Sequence, residues 1–469
     1  MIRVGSAGGQ DHACRYSRSR LLSGAIDTFA TFAHHFGALR VANVASECTS
    51  LPTSPPLDGA RPAVQNATMT RTLRRARRAP FLIVLLAVSA ATHGAGAQRL
   101  PARLADSTFW RLMSDMSEPW GTFRSENFVS NETALQWVIP KLARRVPPGG
   151  VYIGVAPDQN FTLITALKPS IAFIVDIRHQ NAMQHLMYKA LIETSKDRAD
   201  FLAKLFARAP LQGVDSTSTA AQLFDALARQ RPDSARYRAN LRAIITRLTD
   251  VHRFALSDSE RVSLGCVYDA FFTMGPDLTY GYASECNNPG PYGYAQGGTA
   301  GMRRGGFRGP TYQAMLTETD SAGVNWSYLG SEKAFRALKD MEERNLIVPL
   351  TGDFAGPKAL RAVGQWARAH DAKVTTFYIS NVEQYLFEQG DPAKRFFENV
   401  ATFPVDSTSM FVRSFQGGRF WPTDTTVRFT PQSSAGRSME VYGSIEQTVR
   451  AFRAGRITSW GDVLSLSRQ

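Results

Sequence analysis

Apolar positions along the chain fall into two rhythms. Residues 151–155 (VYIGV) and 171–177 (IAFIVDI) are continuous β-branched and aromatic runs with no polar alternation. Strands buried on both faces of a parallel sheet read this way. Between and after them the spacing turns helical. The pattern predicts short helices over 107–116, 133–145 and 161–167, and a long one over 180–208 with Met183, Leu186, Met187, Ala190 and Leu191 inward. Two further helical segments follow over 215–262, with Leu241, Ile244, Ile245 and Leu248 as their stripe. The strand–helix cadence then returns. A helix is expected at 335–345, a strand at 346–350, a helix at 358–370 and a strand at 374–379. Runs 410–414 and 426–429 alternate enough for edge strands. The cadence predicts a doubly wound, mostly parallel α/β sheet over 151–430, preceded by a helical segment at 98–150, with a helical insertion at 210–262 and a helical tail at 431–469. Residues 281–309 carry nine glycines and interrupt the rhythm as a long loop, which suits a lid.

The amino-terminal hundred residues have another character. From Met69 a basic head (Arg71, Arg74, Arg75, Arg77, Arg78) leads into an apolar run and then Ala95-Gly96-Ala97. Head, core and small-residue cleavage site predict a secretory signal over 69–97, hence export to the cell envelope. The alternative is an uncleaved anchor at 80–92, whose apolar run is about half of the roughly 20 residues that span a bilayer. Residues 1–68 then read as an upstream extension. The chain carries a net charge of +14, and residues 1–97 hold eleven Lys and Arg against four Asp and Glu, which is half of the excess. What remains is mildly basic and has no Lys/Arg stripe with interleaved aromatics, so nucleic acid is not the expected partner; a small molecule is. Membrane contact is expected only in passing, through the signal. Cys266 and Cys286 could pair after export or stay as thiols.

In an α/β sheet, ligands bind outside the carboxyl ends of the strands. Four such ends are polar here: 154–160, 176–181, 352–356 and 380–385. Gly154 would let a ligand approach the backbone, with Ala156, Asp158, Gln159 and Asn160 lining the turn. Asp176, 22 residues on, would accept from both hydroxyls of a ribose, with Arg178 and Asn181 beside it. Alternatively the turn is purely structural and Asp176 caps the next helix. Gly154 lacks the further glycines of a pyrophosphate cradle, so a ribose without phosphates fits better. Asp353, between Gly352 and Gly356, is either a helix cap or an acid, base or orienting group, and Glu383 and Tyr385 are candidates for the same cleft. There is no GxSxG elbow, no HExxH, no P-loop and no tight His/Cys/carboxylate cluster, so no metal is expected.

The blocks YIGVAPDQNFTLITALKPSIAFIVDIRHQN, NLIVPLTGDFAGPKALRAVG and FYISNVEQYLF together resemble a bacterial family of largely uncharacterised proteins. Its fold looks like that of class I S-adenosylmethionine-dependent methyltransferases, a Rossmann-like sheet. The resemblance covers about residues 109–415. It implies that residues 154–160 form the first cofactor loop, that Asp176 holds the ribose, and that Gly352-Asp353-Phe354 lies at the fourth motif. S-adenosylmethionine would be the cofactor and methyl transfer the reaction. Departures are the loss of all but one glycine of the first motif and the absence of an Asp/Asn-Pro-Pro-Tyr sequence. Export argues for a second reading, since S-adenosylmethionine is made in the cytoplasm. That reading is an envelope binding protein, not a methyltransferase, that keeps the fold and has lost the cofactor.

Overall fold

The computed structural model describes residues 99–121, 123, 128–280, 309–416 and 438–469. The signal segment, residues 281–308 of the glycine-rich loop, Cys286 and the 426–429 run lie outside them. The first two helices are α1 (Asp106–Met116) and α2 (Leu135–Leu142). Five parallel strands follow: β1 (Val151–Gly154), β2 (Ile171–Asp176), β3 (Ile347–Thr351), β4 (Val374–Ser380) and β5 (Met410–Gln416). Strands β6 (Ser438–Ser444) and β7 (Ser467–Arg468) are antiparallel to their predecessors. The sheet is therefore mixed but mostly parallel, in the order 3-2-1-4-5-6-7.

Every residue of β1, β2 and β3 is buried. This is why they read as unbroken apolar runs. Helix α3 (Gln159–Leu167) joins β1 to β2, and α4 (His179–Thr194) follows β2. Among the described residues five more α-helices lie between α4 and the helix that enters β3: α5 (Arg198–Leu205), α6 (Ala220–Ala228), α7 (Ser234–Thr246), α8 (Asp258–Met274) and α9 (Tyr312–Thr317). Helix α10 (Glu332–Glu343) then leads into β3 and packs on α3 and α4. Helix α11 (Ala359–Ala369) joins β3 to β4, while α12 (Val382–Glu388) and α13 (Asp391–Val400) join β4 to β5. Helix α10 packs with α3 and α4, and α11 packs with α13, the two groupings that right-handed crossovers in this strand order put on opposite faces. Among the described residues no helix is long and apolar enough to cross a membrane.

Two expectations change, and the strand order is new. The 346–350 run forms β3, at the sheet edge beside β2. Hydrophobic pattern fixes that a strand exists but not which neighbour it pairs with. The 410–414 run forms β5, flanked by β4 and β6, and is not an edge. The tail contains β6 and β7 as well as helices α14 (Ile445–Arg453) and α15 (Trp460–Ser465), so it completes the sheet.

Candidate functional site

The chain reverses sheet direction between β1 and β4. Ligands of open α/β sheets bind at such a switch point. Both strand ends there carry a non-glycine residue with positive φ, Ala156 at 65° and Ser380 at 56°. Left-handed backbone costs such residues roughly 1–2 kcal/mol each. Strain of this kind persists only where the surroundings hold it.

Gly154 does not open onto a ligand-sized gap. A Cβ there would come within 1.9 Å of Asn160 Oδ1 and 2.7 Å of the Tyr152 ring. The missing side chain makes room for Asn160, which is fully buried. Asn160 Oδ1 accepts from the Tyr152 hydroxyl at 2.9 Å. Its Nδ2 donates to the carbonyls of Val155, Ala156 and Pro157 at 2.8, 3.1 and 2.7 Å. One amide thus ties down the carbonyls that the turn leaves over.

Next to this turn, Asp176 ends β2. Its Oδ1 accepts from the Arg178 backbone N–H at 2.9 Å, and the Arg178 guanidinium lies 3.3 Å away. Both side chains are buried. Asn181 and His185 follow on α4, and His185 Nε2 meets the Ala156 carbonyl at 3.0 Å. Burial holds His185 down at about 4, hence neutral. Several atoms here have no hydrogen-bond partner among the described residues: Arg178 Nη1, both amide atoms of Asn181 and His185 Nδ1. Buried polar groups are nearly always paired, so an orphan group of this size marks a place for water or a ligand.

On the other side of β1 lies a second polar group. Glu132, from the segment before α2, accepts from the hydroxyls of Tyr378 and Ser380 on β4. Gln159 Nε2 donates to Tyr378 Oη at 3.0 Å. Asp158 Oδ2 accepts from the Tyr328 hydroxyl at 2.8 Å, and Tyr328 Oη lies 2.6 Å from Tyr312 Oη. Burial raises Glu132 from 4.5 to about 7 despite its two hydroxyl donors, and raises Asp158 from 3.8 to about 7. Glu132 sits in no recognisable motif. Sequence reasoning missed it because its partners lie some 250 positions away in the chain.

The raised carboxyls have a consequence for stability. Their folded values exceed the unfolded ones, so the stability they contribute is complete below about pH 4 and is lost as the pH rises through about 7. Chemical denaturation is expected to give a lower midpoint at about pH 8 than at about pH 5. In Glu132→Gln this fall should shrink by something on the order of 3 kcal/mol, from a shift of two to three pKa units. An unchanged pH slope in the variant would mean that Glu132 is not held neutral. Glu193, held down at about 2, acts only at lower pH and does not enter this window.

The remaining predicted residues stand apart from both groups. Asp353 follows β3 at the sheet edge and closes its own turn, accepting from Ala355 N–H at 2.9 Å. The glycines around it serve packing. A Cβ on Gly352 would meet Ala359 Cβ at 2.3 Å, and one on Gly356 would meet Glu118 Oε2 at 2.1 Å. Glu118 fills the loop instead, accepting from the N–H groups of Lys358 and Ala359 at 2.7 and 2.6 Å at the start of α11. A carboxylate suits a helix amino terminus. Glu383 is buried and grips Arg413 of β5 with two bonds, at 2.6 and 3.1 Å. Tyr385 packs edge-on against Phe123, with ring centroids 5.3 Å apart. So the fold brings Gly154, Ala156, Asp158, Gln159, Asn160, Asp176, Arg178 and Asn181 to one rim. It leaves Asp353 at the sheet edge and commits Glu383 to an ion pair. Among the described residues no three His, Cys, Asp or Glu side chains gather into a set that could hold a metal ion.

No curated protein matches the chain. One family model does, over residues 127–262 and 311–442, more than half of the chain and including β1 to β5, Glu132, Asp158 and Asp176. By that match the chain belongs to the family described as Domain of unknown function (DUF7790).

Proposed function

We propose that the domain is a methyltransferase-like sheet that binds a ribose-bearing small molecule over the carboxyl ends of β1 and β2. S-adenosylmethionine is the first ligand to test. The observation that carries this reading is the set of orphaned buried atoms on Arg178, Asn181 and His185 around Asp176. Strand order supports it, because 3-2-1-4-5 is the order in which dinucleotide sheets present their switch point. In this reading the ribose hydroxyls replace the Arg178 guanidinium on Asp176, and the freed arginine turns to the rest of the ligand. If the protein is an enzyme, its reaction is methyl transfer, which asks mainly for alignment of nucleophile and methyl group.

One observation favours the second reading, a non-methyltransferase binding protein of the cell envelope. Asn160 occupies the space above Gly154 that a cofactor's methionine end would need. The signal expected at 69–97 points the same way. Fold alone does not decide between them. Titration calorimetry with S-adenosylmethionine and S-adenosylhomocysteine does. Binding in the micromolar range that weakens about a hundredfold in Asp176→Ala supports the first reading, since two charge-assisted bonds are lost. Absence of heat at millimolar ligand sinks it and leaves the second.

A further inference from the structure

The Glu132 and Asp158 side chains open on one small cleft between α2, α3 and α9. Its volume is about 20 Å³, enough for one water-sized group. Three carboxyl groups line it: Glu132, Asp158 and Glu318. No Lys, Arg or His lines it among the described residues. Gln159 supplies an independent sign of a ligand. It is only 7% exposed, it lines the cleft, and its Oε1 has no hydrogen-bond partner among the described residues. Its amide nitrogen is already committed to Tyr378, so the oxygen is fixed as a waiting acceptor. Leu135, Met315 and Leu316 supply an apolar wall.

Acceptors at one end, hydrocarbon along the side, and room for a head the size of water describe a particular partner. The geometry points to a primary alkylamine, its ammonium head received by Glu132, Asp158 and Gln159 Oε1 and its methylenes laid against Leu135 and Met315. An ammonium group is a compact donor with three N–H bonds and no acceptor, and the cleft offers three acceptors in turn. The site stands whether or not a ribose ligand binds near Asp176, because the two use different residues.

Binding moves protons in a stated direction. The groups facing Glu132 are Tyr152, Tyr378 and Glu440, and those facing Asp158 are Tyr188, Tyr312 and Tyr328. Burial raises all six, which keeps the five tyrosines neutral near neutral pH and pushes Glu440 towards its neutral form. Of the carboxyl groups, Glu132, Asp158 and Glu318 line the cleft and can answer a cation. An arriving ammonium favours their ionised forms, and protons leave to solvent.

The test is calorimetric titration of the full chain with n-butylamine at neutral pH, in two buffers of different ionisation enthalpy, with n-butanol as the neutral control. Expected are saturable butylamine binding with proton release, no binding of butanol, and a loss of about tenfold in Glu132→Gln. Glu318→Gln, on a partly exposed side chain, should weaken binding severalfold and keeps the test open if the buried variant fails to fold. No butylamine heat at millimolar concentration overturns the proposal. So does binding unchanged in both variants, or saturable binding of magnesium or calcium chloride that excludes the amine.

Discussion

Replacing Glu383 by Ala is expected to cost about 3–5 kcal/mol of stability, a large share of the roughly 5–15 kcal/mol that an ordinary domain has. The Arg413 and Glu383 side chains are 1% and 2% exposed. Their two hydrogen bonds join β5 to α12, and the guanidinium also lies over the Phe411 ring, 4.2 Å from its centroid. Even Gly443 takes part, since a Cβ there would come within 2.9 Å of Arg413 Nη1. Removing the carboxylate strands a cation that has no way to reach water. Removing both charges does not. The pair Glu383→Leu with Arg413→Met should therefore recover most of the loss, because apolar replacement of a buried ion pair is commonly neutral or better. Urea denaturation of the two single variants and the double variant checks this. A single Glu383→Ala within about 0.5 kcal/mol of the parent would show that the pair is not sealed from solvent.

Gly154→Ala is the second large effect. If Gly154 existed to let a ligand near the backbone, an alanine would disturb binding and leave the empty fold intact. The packing indicates the reverse. A Cβ at 1.9 Å from Asn160 Oδ1 forces that amide out of its place. Overpacking costs about 1–3 kcal/mol, and the three carbonyls that Asn160 serves lose their donor. We expect a loss of about 3 kcal/mol without any ligand present. Asn160→Ala should cost a similar amount, and the double variant little more than either alone, because both act through one contact. Additive losses would contradict the assignment.

These residues also mark how far the sequence could be read. IAFIVDI is legible because both faces of β2 are buried, so its burial pattern is its composition. Asp176 at its end is legible for the same reason: a charged residue after five buried apolar positions marks the rim. A glycine is less informative. It says that a Cβ is excluded but not by what, so Gly154 reads as ligand space when Asn160 fills it. Strand order is not legible at all. Nothing in the 347–351 run says that it pairs with β2 rather than β1, so the distance of Asp353 from the first loop was not legible either. Glu132 is the plainest omission. It belongs to a segment with no strand rhythm, and only the folded chain brings it to Tyr378 and Ser380.

The central claim is that the rim around Asp176 is a ligand site and not a self-sufficient polar core. A crystal structure grown with S-adenosylmethionine, at a resolution that shows ordered water, tests it most directly. The expected result is ligand density beside Asp176, with Arg178 displaced from the carboxylate and Asn181 and His185 Nδ1 bonded to the ligand. Waters bridging Arg178, Asn181 and His185 in an otherwise unchanged rim, with the ligand absent, would contradict the account.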